Sequence, residues 1–174
     1  MKRIAIMILA LLLVAWAYAT EDVVTAVHGT IKKVDSATRT LVVKTADGSE
    51  RSLHFMDQTA VHGAKASEEG AKDSWRGLTE GTEVAVHYTR RGTENTAVEI
   101  DKLGAGGLKE TEGTIEDIDR EGKKLTLKAG NGVESTFRLT EHAAEDGGKD
   151  IAKGAKVSVY YSEDAGKKVA HFLG

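Results

Sequence analysis

An internal repeat limits what this chain can fold into. The stretch Gly29-Thr-Ile-Lys-Lys-Val-Asp-Ser-Ala-Thr-Arg-Thr-Leu-Val-Val-Lys-Thr-Ala-Asp-Gly48 returns eighty-four residues later as Gly113-Thr-Ile-Glu-Asp-Ile-Asp-Arg-Glu-Gly-Lys-Lys-Leu-Thr-Leu-Lys-Ala-Gly-Asn-Gly132. Gly29, Thr30, Ile31, Asp35, Leu41, Lys44 and Gly48 each meet the same residue type in the second copy. Further on, Gly81, Val84, Val86 and Tyr88 meet Gly154, Val157, Val159 and Tyr161. Two copies of one unit mean two small cores. Each copy spans about 65 to 80 residues, a size at which a core alone is marginal. The two halves are therefore expected to pack on one another.

Within a copy the signals are those of strands. Val23–Val34 alternates, with Val27, Gly29 and Ile31 on one side and His28, Thr30 and Lys32 on the other, the period of a half-buried strand. Thr40–Thr45 is β-branched and reads as a second strand. Asp47-Gly48 predicts a type I′ hairpin turn. A third strand over Glu50–Met56 puts Leu53 and Phe55 inward and Ser52, His54 and Met56 outward. Residues 57–81 are rich in Ala, Glu, Lys and Gly, with a short helix expected near Ala64–Ser74 and Trp75 as a barrel plug. Strands four and five are Glu83–Thr89 and Ala97–Leu103. The second copy repeats the order, with strands near Thr111–Ile118, Lys124–Lys128, Glu134–Leu139, Lys156–Tyr161 and Lys168–Phe172. Five short strands with one insertion between the third and fourth predict an all-β chain of two tandem OB-like barrels, an SH3-like barrel being the alternative. The domain limits are 20–103 for the first barrel, 104–110 for a Gly-rich linker and 111–174 for the second.

Residues 1–19 read as a secretory signal peptide. Met1-Lys2-Arg3 precedes an uncharged run from Ile4 to Ala19, and the run ends in Ala17-Tyr18-Ala19. The run is shorter than the roughly 20 residues of a spanning helix, so no stable membrane insertion is expected after cleavage before Thr20. The chain has no cysteine, hence no disulfide and no thiolate ligand. A periplasmic or secreted location follows. Without Lys2 and Arg3 the net charge is about −5, spread evenly over both halves. That balance argues against nucleic acid and anionic membranes, which need a clustered positive field.

The pattern G-T-I-x-x-V-D, T-L-V-V-K-x-x-D-G, a short aromatic strand and L-x-x-G-x-x-V-x-V-x-Y resembles a bacterial domain family of unknown function. It is carried by Gly29–Asp35, Thr40–Gly48, Leu53–Phe55 and Leu78–Tyr88 and their counterparts. The resemblance implies OB-type barrels in secreted or periplasmic proteins. The chain is also similar, more weakly, to the small periplasmic copper chaperones of metal efflux systems. Those bind Cu(I) through a His, a Met-x-Met pair and a nearby Trp, of which His54-Phe-Met56 and Trp75 are the matching residues here. The Met-x-Met pair itself is absent.

Candidate metal ligands follow two lines. His54 and Met56 share the outward face of strand three, about 7 Å apart along it, and imidazole with thioether suits Cu(I). His28 and His87 point outward from neighbouring strands one and four, a pair suited to Zn(II) or Cu(II). The acidic groups Glu68-Glu69, Glu116-Asp117 and Glu145-Asp146 lack calcium-loop spacing and read as solvated faces. No G-x-S-x-G elbow, H-E-x-x-H or phosphate-cradling loop is present, so no enzyme and no cofactor is expected. The first expectation is a non-catalytic binding module, a monomer or weak dimer, whose partner is an envelope protein or small ligand. The alternative is a periplasmic protein binding Cu or Zn.

Overall fold

The computed structural model describes residues 24–64, 77–147 and 150–174. Among these lie ten strands. The first barrel is built from β1 (Val24–Asp35), β2 (Thr40–Lys44), β3 (Glu50–His62), β4 (Glu83–Arg91) and β5 (Glu94–Lys102). The second is built from β6 (Lys109–Asp119), β7 (Lys124–Lys128), β8 (Glu134–Leu139), β9 (Lys156–Asp164) and β10 (Lys167–Leu173). Each five-stranded set closes on itself in the same order, β1-β2-β3-β5-β4 and its equivalent. The first and fourth strands pair antiparallel, and the third and fifth pair parallel. This is the expected all-β architecture of two OB-like barrels. The signal peptide, the helix near Ala64–Ser74 and Trp75 lie essentially outside the described residues.

The repeated residues are those the closure needs. Ile31, Leu41, Val43, Leu53, Val84, Val86 and Ile100 fill the first barrel, each at most 1% exposed. Ile115, Leu125, Leu127, Phe137, Leu139 and Val159 fill the second. The first strand must curve between two neighbours, and at the repeated glycine it lies too near the second strand to leave room for a side chain. A Cβ on Gly29 would lie 2.3 Å from the Lys44 carbonyl oxygen, and one on Gly113 would lie 2.6 Å from that of Lys128. Asp35 closes the first loop by accepting the Ala37 and Thr38 amides, as Asp119 accepts that of Gly122.

The second turn departs from expectation. Asp47 is not left-handed; the Gly48 amide donates to the Thr45 carbonyl, and Gly48 alone takes positive φ. Ala46 and Asp47 thus occupy the centre of the turn, and glycine serves as the residue that re-enters the strand. Asn131-Gly132 behaves the same way.

The barrels are packed together. After β5, Gly104–Gly107 makes a hydrogen-bonded turn that returns the Leu108 amide to the Lys102 carbonyl, and Leu103 and Leu108 are buried there. These leucines join Ala85, Tyr160 and Phe172 in a third apolar cluster with Ala26 against it, apart from either barrel core. The contact brings equivalent faces together, β4 and β5 of one barrel against β9 and β10 of the other. Both faces carry the same irregularity. On β5, Val98 is the extra residue between the pairs His87–Glu99 and Tyr88–Ala97. On β10 the extra residue is His171, between Ala170–Tyr161 and Phe172–Tyr160. Such bulges re-aim the strand that carries them.

Candidate metal centre

Polar side chains on the outer face of a small barrel are normally solvated. Here the second barrel covers them. His87 on β4 and Glu99 and Asp101 on β5 are 1%, 3% and 0% exposed. Opposite them lie His171, Asp146 and His142, the last two from the loop between β8 and β9. His62 enters from the end of β3, where it pairs with Asp101. Four of the six histidines in the chain meet here with two buried carboxylates between them.

Local structure fixes each ligand. β3 runs past Met56 because Thr59 bridges the irregular stretch: its hydroxyl donates to the Ala97 carbonyl and accepts the Met56 amide. That continuation delivers His62. The β8–β9 loop is shaped by Arg120, whose guanidinium donates to the carbonyls of Ala144, Asp146 and Ile151. The Thr140 side chain also accepts the Ala143 amide, holding the turn that presents His142.

The hydrogen bonds leave a gap in the middle. Among the described residues, five buried side-chain atoms lack a partner: His87 Nδ1, His171 Nδ1, Glu99 Oε1 and both oxygens of Asp101. The outward nitrogens of the same histidines are held. His87 Nε2 donates to Asp146 Oδ1 at 2.7 Å, and Asp146 Oδ2 accepts the Leu173 amide at 2.9 Å. Since an ionised carboxylate only accepts, Nε2 carries the hydrogen of this bond, and it is Nδ1 whose lone pair is available, facing inward, for a ligand. His171 Nε2 lies 2.9 Å from the Ser162 hydroxyl and is placed to do the same. An imidazole anchored through one nitrogen and bare at the other is the arrangement of a metal-ligating histidine.

The spacings agree. His62 Nε2 and His171 Nδ1 stand 3.3 and 3.6 Å from Glu99 Oε1. His171 Nδ1 is 3.7 Å from Asp101 Oδ1, and His87 Nδ1 is 3.8 Å from Asp101 Oδ2. Ligands about 2.0–2.2 Å from a tetrahedral ion lie about 3.3–3.6 Å from one another. The three longer separations exceed hydrogen-bond length, His62 makes no well-aligned hydrogen bond to Glu99 Oε1 at 3.3 Å, and all four are close to those of a coordination shell.

The electrostatics point the same way. Burial pushes the Asp101 carboxyl well up, and the neighbouring charges of Glu99 and Asp146 push it further. Burial acts in the same direction on Glu99, but His142, His171 and His62 face it and together hold it far below the usual carboxylate range. Glu99 in turn raises His142, its partner at 2.5 Å. A cation in the centre would supply what Asp101 lacks.

Of the residues singled out by sequence, only His87 belongs to this centre. His28 also leaves the first barrel on the covered side, but it bonds to Glu83 at 2.9 Å and rests against Tyr160 and Phe172. The structure does not bring it together with His87 in a ligand group. His54 and Met56 are exposed on the outer face of β3, where Met56 sulfur accepts from Gln58, and neither is part of a described cluster. Asp146, read as part of a solvated acidic face, is 4% exposed.

Comparisons with protein-family models and with curated proteins give no match. Among solved structures, silver-bound CusF from Escherichia coli aligns over 49% of this chain and 98% of its own, at 15% identity and a TM-score of 0.37. Drosophila Unr CSD456 covers 88% of this chain and 61% of its own at 16% identity and a TM-score of 0.36. The single-stranded DNA binding protein of Thermus aquaticus covers 87% and 90% at 16% identity and a TM-score of 0.28. Likenesses this remote do not bear on what the chain binds.

Proposed function

We propose that this is an exported, non-catalytic metal-binding protein whose two barrels grip a divalent transition-metal ion between them, Zn(II) foremost. The observation that carries the reading is the convergence of five partnerless buried atoms from two imidazoles and two carboxylates. An orphaned buried polar atom costs about 1–3 kcal/mol. Five would cost about as much as the whole stability of an ordinary domain, even with ion-pair attraction offsetting part. Metal coordination gives such inward-facing lone pairs the partner that the protein does not. The donors are nitrogen and oxygen without sulfur, which suits Zn(II) and its borderline neighbours and disfavours Cu(I). The N-terminal pattern supports export. A cavity of about 270 Å³ lined by His87, His142, Glu145 and Asp146 offers a route to the centre.

The test is zinc retained after gel filtration by residues 20–174, the chain expected after signal removal. Wild type is expected to carry zinc. Glu99→Gln is expected to lose it while keeping its circular dichroism. Equal retention by both proteins would refute the reading.

A further inference from the structure

The ligand atoms fall into two groups, and the division runs through single residues. Glu99 turns Oε1 toward His62 and His171 and Oε2 toward His142. Asp101 divides likewise, with Oδ1 toward His171 and Oδ2 toward His87. Each carboxylate offers one oxygen to one imidazole pair and the second oxygen to the other pair. The pairs are themselves adjacent, the His62 and His171 rings lying 4.4 Å apart and the His87 and His142 rings 5.3 Å apart. In both pairs one histidine comes from each barrel.

We propose, resting on the metal-binding reading above, that the centre holds two divalent ions side by side, bridged by Glu99 and Asp101. His62 and His171 complete one position; His87 and His142 complete the other. A single ion does not account for the arrangement. An ion taking Glu99 Oε1, Asp101 Oδ1, His62 and His171 has a full tetrahedral set. Glu99 Oε2, Asp101 Oδ2, His87 and His142 then remain, with His87 Nδ1 and Asp101 Oδ2 still buried and unpartnered. Of these, His87, Glu99 and His142 lie within ligand distance of one another, with Asp101 Oδ2 3.8 Å from His87 Nδ1 beside them. Bridging carboxylates hold paired ions about 3.5–4 Å apart in known two-metal sites. The second position adjoins the cavity lined by His87 and His142, which has room for water or hydroxide. His142 Nδ1 and Glu99 Oε2 are hydrogen-bonded at 2.5 Å, and an ion there would displace the proton between them.

The deciding experiment is a count. Residues 20–174 are stripped with chelator, titrated with Zn(II) and weighed by native mass spectrometry; a second sample is loaded with Cu(II) for electron paramagnetic resonance. Two zinc ions per chain and a spin-coupled copper spectrum with a half-field transition are expected. One zinc per chain would overturn the paired centre and leave the metal-binding reading standing. No zinc would overturn both. Two zincs with magnetically isolated coppers would overturn the shared carboxylates. His62→Ala and His142→Ala are each expected to lower the count from two to one. Should either variant fail to fold, the wild-type count and copper spectrum still decide.

Discussion

Asp101→Asn is expected to stabilise the protein without metal and destabilise it, relative to wild type, with metal. The side chain is fully buried, both of its oxygens lack hydrogen-bond partners, and Glu99 and Asp146 crowd it with like charge. Asparagine keeps the shape, carries no charge and can donate from its amide to the equally unpartnered Glu99 Oε1. Satisfying two orphaned atoms at about 1–3 kcal/mol each, less the imperfect geometry of an unplanned bond, gives a gain of about 2 kcal/mol. At about 2–4 °C per kcal/mol for a chain of this size, the melting temperature in excess chelator rises by about 4–8 °C. With zinc at a hundred times its Kd, wild type gains about 2.7 kcal/mol per site. The variant, having lost a ligand oxygen, gains little, so the order of the two melts reverses. Paired calorimetric scans in chelator and in zinc give both numbers. A variant that melts below wild type in chelator would refute the reasoning, since the carboxylate would then stabilise the fold rather than wait for an ion.

Three other outcomes follow from the same geometry. In chelator, stability is expected to fall from pH 5 to pH 8: Asp101 and His142 both hold protons more tightly folded than unfolded, so the folded chain binds more protons across that window. The opposite shift of Glu99 acts only as pH drops below its ordinary value of 4.5, and a flat thermal-melt profile over pH 5–8 would contradict the burial of the other two. Arg120→Met removes the donor to three loop carbonyls, and should raise amide exchange over residues 141–147 and weaken zinc binding about 10–100-fold, as outer-shell losses do. Phe172→Ala takes a ring from between Tyr160, His87 and His28, at a cost of about 3–5 kcal/mol; small-angle scattering should show the barrels separating while the strand signal in circular dichroism persists.

The fold was legible because inward positions repeat: Ile31 with Ile115, Leu41 with Leu125, Val86 with Val159. The centre was not, for three physical reasons. Glu99 and Asp101 occupy outward positions, and alternation cannot say whether an outward face meets water or another barrel. His171 is the extra residue of a bulge, which breaks the alternation that would have placed it. His62 follows an irregular stretch held by Thr59, beyond the apparent end of its strand at Met56. A usable signal did exist in the comparison of the two copies. His87, Glu99 and Asp101 stand where the second copy has Tyr160, Phe172 and Gly174, so the halves diverge at the positions where they touch.

That divergence bears on why the barrels share one chain. Two identical subunits meeting through this face would each bring the same residues to the contact. If both carried the Glu99 and Asp101 face, four carboxylates would confront one another; if both carried the Tyr160 and Phe172 face, the contact would hold tightly and chelate nothing. Covalent duplication frees the copies to specialise, one as acidic donor and the other as aromatic clasp with its own histidines. The molecule behaves as a heterodimer that cannot exchange partners, and the second barrel produced alone should self-associate through its aromatic face without recreating the centre.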